Sequence, residues 1–281
     1  MEIPEADIVI YAWCPRGVQN VIASGGNNFI GLVDENTVLK YPQIPSEKPP
    51  NLIGDEKLCT ALRKEALVGL RVEEQILRIL GHHDRIIGFK GKHQDGLLLE
   101  YMPNGSVADY LRDVNPRPPL KQRLKWALQA AEAVAYTHKK GVLHCNISVG
   151  NLLLDKDLNI KLCDFQGKLL HSDGTVLLDG GSAEGVWSSM PRPDPTCANR
   201  KTDIFALGSA IYFMVTGQLP FPVLESRKDN GEIERRFKTG QFPPLGEAQG
   251  GGVVKRCWAG QYKSAENVVR DLEELWVCRQ H

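Results

Sequence analysis

The stretch "DIFALGSAIYFMVTG", residues 203–217, is apolar on nearly every side. A helix of that kind cannot lie on a surface, so it must be the central element of a lobe, with other elements packed all round it. Its apolar part is too short to span a bilayer, and Gly208 and Ser209 interrupt it. The chain carries helices to surround it. "LKQRLKWALQAAEAVAYTHKKG" puts Leu124, Leu128, Ala131, Ala135 and His138 on one stripe and ends at Gly141. "GGVVKRCWAG" and "SAENVVRDLEELW" read as further helices, and "NLLLDKDLNIKLCDF" as two apolar strands around a polar turn.

The first third has a different character. "NVIA", "FIGLVD" and "TVLKY" are β-type runs separated by "SGGNN" and "DEN". A Pro-rich loop, "PQIPSEKPPNLIGD", leads into "KEALVGLRVEEQILRIL", where Leu67, Leu70, Ile76, Leu77 and Leu80 fall at helical spacing and Gly81 supplies the stop. "RIIGFKG" and "GLLLEYM" read as two more strands. The fold class is therefore α+β, with a β-rich small lobe and an α-rich large lobe joined near Met102 to Gly105. A chain of 281 residues is long enough for two modest lobes. Thirty-four basic residues balance thirty-four acidic ones, which speaks for neither nucleic acid nor an anionic membrane as partner. Seven cysteines, at 14, 59, 145, 163, 197, 257 and 278, form no C-x-x-C pair and read as reduced thiols. The start, "MEIPEADIVIYAWCPRG", has acids before its first apolar run and lacks the basic n-region of a signal peptide. The expectation is an intracellular, cytoplasmic protein.

The motif that points to chemistry is "HCNISVGN", residues 144–151, followed by "KLCDFQG". Together with the order of elements, these motifs resemble the protein kinase fold over about Val21 to Leu275. The resemblance is closest to kinase-like proteins of filamentous fungi, whose loop reads H-C-D-I-S. It implies one bilobal kinase domain over 1–281, with a small lobe at 1–101, a hinge at 102–105 and a large lobe at 106–281. It implies ATP and Mg²⁺ as cofactors and a protein as substrate or regulated partner. Kinase chemistry is mostly positioning and charge neutralisation around a transferring phosphoryl group. By resemblance, Lys40 at the end of "TVLK" meets the α- and β-phosphates. Glu73, rather than its neighbour Glu74, holds that lysine, because it fits the E-x-x-I-L spacing. Asn151 and Asp164 are the magnesium ligands, both hard oxygen donors. Asp203 anchors the loop, and Leu99, Glu100, Met102 and Leu153 line the adenine site, with Gly25 and Gly31 in the glycine-rich turn.

The pattern also fails in places. Asn146 stands at the position of the catalytic aspartate, and an amide cannot take a proton from a hydroxyl. "SGGNNFIG" keeps Gly25 but has Asn27 and Ile30 at the later glycine positions, with Gly31 displaced by one. D-F-G becomes Asp164-Phe165-Gln166, with Gly167 one step later, which implies restricted movement of the segment that follows. Cys145 replaces the arginine that would gather a phosphorylated activation loop, despite Ser172, Thr175, Ser182 and Ser188. A-P-E becomes Met190-Pro191-Arg192, Lys263 stands where its partner arginine is expected, and the buried Glu–Arg pair is read as missing. Neither Ser148 nor Gly150 supplies a cation near the γ-phosphate. The leading expectation is a serine/threonine-type kinase fold that binds ATP and magnesium but is impaired in transfer. Natural decay to a pseudokinase and a deliberate Asp→Asn change both explain Asn146. A scaffold that needs no nucleotide is the alternative, and a small-molecule phosphotransferase of the aminoglycoside type is disfavoured by "DIFALG" and "CW".

Overall fold

The run TVLKYP, Thr37–Pro42, is buried at every position, as only a strand covered on both faces can be. A computed structural model of the chain describes residues 12–46, 56–114 and 116–277. Most of the Pro-rich loop, most of the amino-terminal stretch and Cys278 lie outside the described residues.

The described residues divide into two compact units, the first reaching His82 and resuming at Gly88–Tyr101, the second formed by His83–Ile87 and the chain from Met102 onward. In the first unit, strands β1 (Asn20–Gly25), β2 (Asn28–Asp34) and β3 (Thr37–Pro42) precede helix α1 (Glu56–Leu80), and β4 (Phe89–His93) and β5 (Gly96–Glu100) follow it. The strands form one antiparallel sheet in the order β1-β2-β3-β5-β4. One face buries Phe29, Leu39 and Tyr41 with Trp13, Val18, Val21 and Val33. Tyr41 donates its hydroxyl to the Trp13 carbonyl at 2.7 Å. The other face carries Val38, Lys40, Leu97 and Leu99, which alternate with the first set as the pleat requires. Helix α1 packs on β3, β4 and β5 through Leu70, Ile76, Leu77 and Leu80, while Leu67 is only half-buried. It begins at Glu56, two turns before the expected Lys64, because buried Cys59 packs with Ile44 and Leu62. Gly81, at φ +65°, ends it with its N–H on the Leu77 carbonyl.

The strand expected over "RIIGFKG" starts only at Phe89. Residues 83–87, expected in the small lobe, belong instead to the second unit. Their backbone is committed there: Ile87 N–H donates to the Leu162 carbonyl at 2.9 Å, and Leu162 N–H to the Arg85 carbonyl at 2.8 Å. Arg85 also pairs with Glu132 at 2.7 Å, and His83 stacks on Tyr136.

In the second unit, α2 (Val107–Asp113) is capped by Ser106, whose hydroxyl accepts the Asp109 N–H. Then come α3 (Leu120–Lys139), β6 (Val142–Leu143), the hairpin β7 (Leu152–Leu154) and β8 (Ile160–Leu162), β9 (Lys168–Leu170) and β10 (Val176–Asp179). Helices α4 (Arg200–Thr216), α5 (Asn230–Lys238), α6 (Gly251–Trp258) and α7 (Ala265–Val277) complete it. Helix α4 is buried almost throughout, starts at an Asn199–Thr202 capping box and stops at Gly217, φ +71°. It packs on α3 and α6. A Cβ on Gly208 would lie 2.6 Å from the Cys257 Cβ, so that glycine sets how closely α4 and α6 approach. Trp258 donates to the Ser209 hydroxyl at 2.9 Å, which satisfies the polar residue inside the apolar helix. The β9–β10 hairpin and α5 go beyond the sequence expectation, because "KLL", "VLLD" and "NGEIERRFK" are each too short to show a period.

Candidate functional site

In the first unit, Lys40 Nζ lies 2.6 Å from Glu73 Oε2, with side-chain exposures of 7% and 0%. Glu74 points outward instead, to Arg78 at 3.0 Å and Lys92 at 3.7 Å. Helical geometry separates the two glutamates: Glu73 shares the buried side of α1 with Leu70, Ile76 and Leu77. Leu99 is buried opposite Val38. The Glu100 carboxylate accepts the Gly88 N–H at 3.1 Å, and its own N–H donates to the Gly88 carbonyl at 2.8 Å.

The two glycines of the turn separate. A Cβ on Gly25 would meet nothing within 4 Å, whereas one on Gly31 would lie 2.5 Å from Val18 Cγ1 and 3.1 Å from the Tyr41 ring. Gly31 pairs with Leu39 and Ile30 with Lys40, so Gly31 faces away from the lysine. Its lack of a side chain is a packing requirement, which corrects its expected place beside the phosphates. Gly31→Ala is expected to cost about 1–3 kcal/mol by overpacking, and Gly25→Ala less than about 0.5 kcal/mol. Urea midpoints of the two variants check this, and equal midpoints would sink it.

In the second unit, Asp203 organises the loop. Its exposure is 1%, its Oδ2 accepts the His144 N–H and the His138 Nε2–H at 2.9 Å each, and its Oδ1 accepts the Cys145 N–H at 2.9 Å. Burial pushes the Asp203 carboxyl up, but the His138 hydrogen bond, the electrostatic influence of the nearby His138 and His144 rings and the His144 N–H outweigh it, and the net direction is down. These bonds hold Cys145 at φ +61°, a left-handed conformation that costs a residue with a side chain about 1–3 kcal/mol. The Cys145 thiol is pushed up to about 12, chiefly by burial and then by the Asp203 charge, so it is protonated at neutral pH. His138, which the sequence presents only as part of an apolar stripe, is a buried hydrogen-bond partner of Asp203 that sequence reasoning misses. A histidine at the end of a buried helix face is its one signal.

His144 Nε2 lies 2.8 Å from the Cys163 carbonyl and its ring stacks edge-on against Phe165. A carbonyl only accepts, so Nε2 carries the hydrogen. Nδ1 then accepts the Asn146 N–H at 3.3 Å. Asn151 donates its side-chain amide to the Asn146 carbonyl at 2.9 Å, which makes Oδ1 the atom available as a metal ligand. Cys163 N–H donates to the Asn151 carbonyl at 3.0 Å, and Asp164 follows at φ +67°. Leu153 is half-buried on β7, and Met102 is 4% exposed with its carbonyl accepting the Gly105 N–H. Asn146, Asn151 and Asp164 are thus tied into one backbone network with Asp203 at its base.

The usual buried Glu–Arg pair is replaced by a different one within the segment itself. Arg192 Nη1 lies 2.7 Å from Glu184 Oε2, with side-chain exposures of 14% and 3%. The arginine stands where the glutamate is expected, and Lys263 is exposed.

A sequence profile described as "Protein tyrosine and serine/threonine kinase" matches residues 57–270, well over half of the chain. The chain belongs to the protein kinase family. The serine/threonine-protein kinase STE11 of Saccharomyces cerevisiae is 26% identical over 230 residues, covering 77% of this chain and 31% of that protein. The salt tolerance receptor-like cytoplasmic kinase 1 of Oryza sativa is 31% identical over 229 residues, covering 76% of this chain and 59% of that protein. The kinase domain therefore spans between about a third and three fifths of these relatives' lengths. The profile match opens at Lys57, so Lys40 and the β1–β2 turn lie outside it. For Lys40 the Glu73 pair is the supporting observation.

Proposed function

We propose that this kinase domain binds ATP with magnesium, is of serine/threonine type, and is strongly impaired in phosphoryl transfer to protein because Asn146 stands at the base position. The observation that carries the reading is the buried Lys40–Glu73 pair at 2.6 Å. Burying an ammonium with a carboxylate costs desolvation and adds little net stability, so such a pair is a candidate functional site, here one able to orient an anion. In this reading Lys40 holds the α- and β-phosphates, and Asn151 Oδ1 and Asp164 hold the magnesium. Both are hard oxygen donors that suit the ion. The metal would neutralise charge on the phosphates. Asn146 accepts a hydrogen bond from the substrate hydroxyl but does not take its proton.

Binding to the folded state adds stability as RT ln(1 + [L]/Kd), so a thermal shift in millimolar MgATP tests the reading. The melting temperature is expected to rise, less so with ATP and EDTA. Asp164→Ala should remove the magnesium-dependent part and Lys40→Met most of the remainder. No shift in saturating MgATP would instead support a scaffold that acts without nucleotide. The position of Gly31, packed on the face away from Lys40, favours that second reading. The partner in either case is a protein, and balanced charge argues against nucleic acid or membrane. Among the described residues no helix is long and apolar enough to cross a membrane. A cytoplasmic location is part of the proposal, by analogy with the rice relative's name.

A further inference from the structure

Between Asp164 and Pro195 the sequence has two permanent cations, Lys168 and Arg192. Both are already engaged. Lys168 Nζ lies 2.6 Å from Asp179 Oδ2, and Asp179 Oδ1 accepts the Gly181 N–H at 3.0 Å. Arg192 holds Glu184 at 2.7 Å and also donates to the Met190 carbonyl at 3.0 Å and the Pro195 carbonyl at 2.6 Å. The backbone closes the same segment: Gly180 N–H donates to the Gly167 carbonyl at 3.0 Å and Ser182 N–H to the Gln166 carbonyl at 3.1 Å. The approach is so close that a Cβ on Gly180 would collide with the Gln166 carbonyl oxygen, and one on Gly167 with that of Leu143.

We infer that residues 166–195 are held in one conformation by two built-in ion pairs, Lys168–Asp179 and Glu184–Arg192, so that ordering this segment requires no phosphorylation. A phosphoryl group orders a loop by creating new bonds to cations. Here carboxylates of the chain already occupy that role, and Cys145, buried beside the segment, offers no charge to a phosphate. Ser172 and Thr175 lie exposed at the β9–β10 turn, and Ser188 already donates to the Gly185 carbonyl at 3.2 Å. The inference rests on these contacts and holds whether or not the domain transfers phosphate.

Hydrogen exchange of the full chain, read by mass spectrometry, tests it. Phosphatase-treated and untreated protein should show the same protection over 166–195. Arg192→Gln should speed exchange over 182–195 by about tenfold or more, with α4 unchanged. Asp179→Asn, at a half-exposed site that leaves the core intact, should speed exchange over 168–182 by a smaller factor. Faster exchange of the segment after phosphatase treatment alone would overturn the inference. So would wild-type protection in Asp179→Asn together with either wild-type protection or global unfolding in Arg192→Gln.

Discussion

Asn146→Asp is expected to raise phosphotransfer at least about tenfold, and up to the 10²–10⁴-fold that a positioned general base typically contributes. Tenfold corresponds to about 1.4 kcal/mol of barrier. The backbone at this position is held from both sides, by the Asn146 N–H on His144 Nδ1 and the Asn151 amide on the Asn146 carbonyl. Asparagine and aspartate have nearly the same shape, so the carboxylate would occupy the place the amide has now. Ser148 and Gly150 provide no cation near the transferring group, which sets the gain toward the lower end. Autophosphorylation and phosphorylation of a generic protein substrate are the readouts, with Lys40→Met as the inactive control. A variant that binds MgATP and transfers nothing above background would show that Asn146 is one symptom of wider decay.

Asp203→Ala should lose about 3–5 kcal/mol of stability. The change leaves two backbone N–H groups and the His138 Nε2–H without their acceptor in a site that is 1% exposed. Each buried unsatisfied group costs about 1–3 kcal/mol. It also frees Cys145 from the bonds that hold its left-handed backbone. Because the Asp203 pKa in the folded chain is lowered from 3.8, its stabilising contribution is fully present above the ordinary carboxylate value. That contribution is lost as pH falls through the lowered value. Asp203→Asn should therefore flatten the acid limb of the stability curve below about pH 4. Urea unfolding from pH 7 downward measures both effects. A loss within about 1 kcal/mol for Asp203→Ala would remove Asp203 as the anchor of the loop.

Much of this arrangement is legible in the chain because it depends on short-range pattern. The apolar run around α4 and the stripe of α1 follow from helical period alone, and the spacing from His144 to Asn151 and Asp164 is legible through the resemblance to the kinase motifs. Glu73 is told from Glu74 in the sequence by the E-x-x-I-L spacing that the kinase resemblance supplies, and the packed helix places it on the buried side with Leu70, Ile76 and Leu77. Boundaries are less legible. The first two turns of α1 depend on Cys59 meeting Ile44, and the start of "RIIGFKG", which looks like a strand, is drawn off by hydrogen bonds to Leu162 and from it to Arg85.

Residue types and the faces they share are written in the chain: a lysine on a central strand, a glutamate on a helix, two oxygen donors around a hairpin, and an amide in place of a carboxylate. The pairings between residues distant in the chain exist only once the elements have packed. Packing gives His138 to Asp203, turns Gly31 toward Tyr41 and away from Lys40, and joins Arg192 to Glu184 within their own segment. Periodicity sets the direction of a side chain from its own backbone, whereas the partner it meets depends on where another element comes to lie. Buried charge then selects among the possible partners, because an ion without one is too costly to keep.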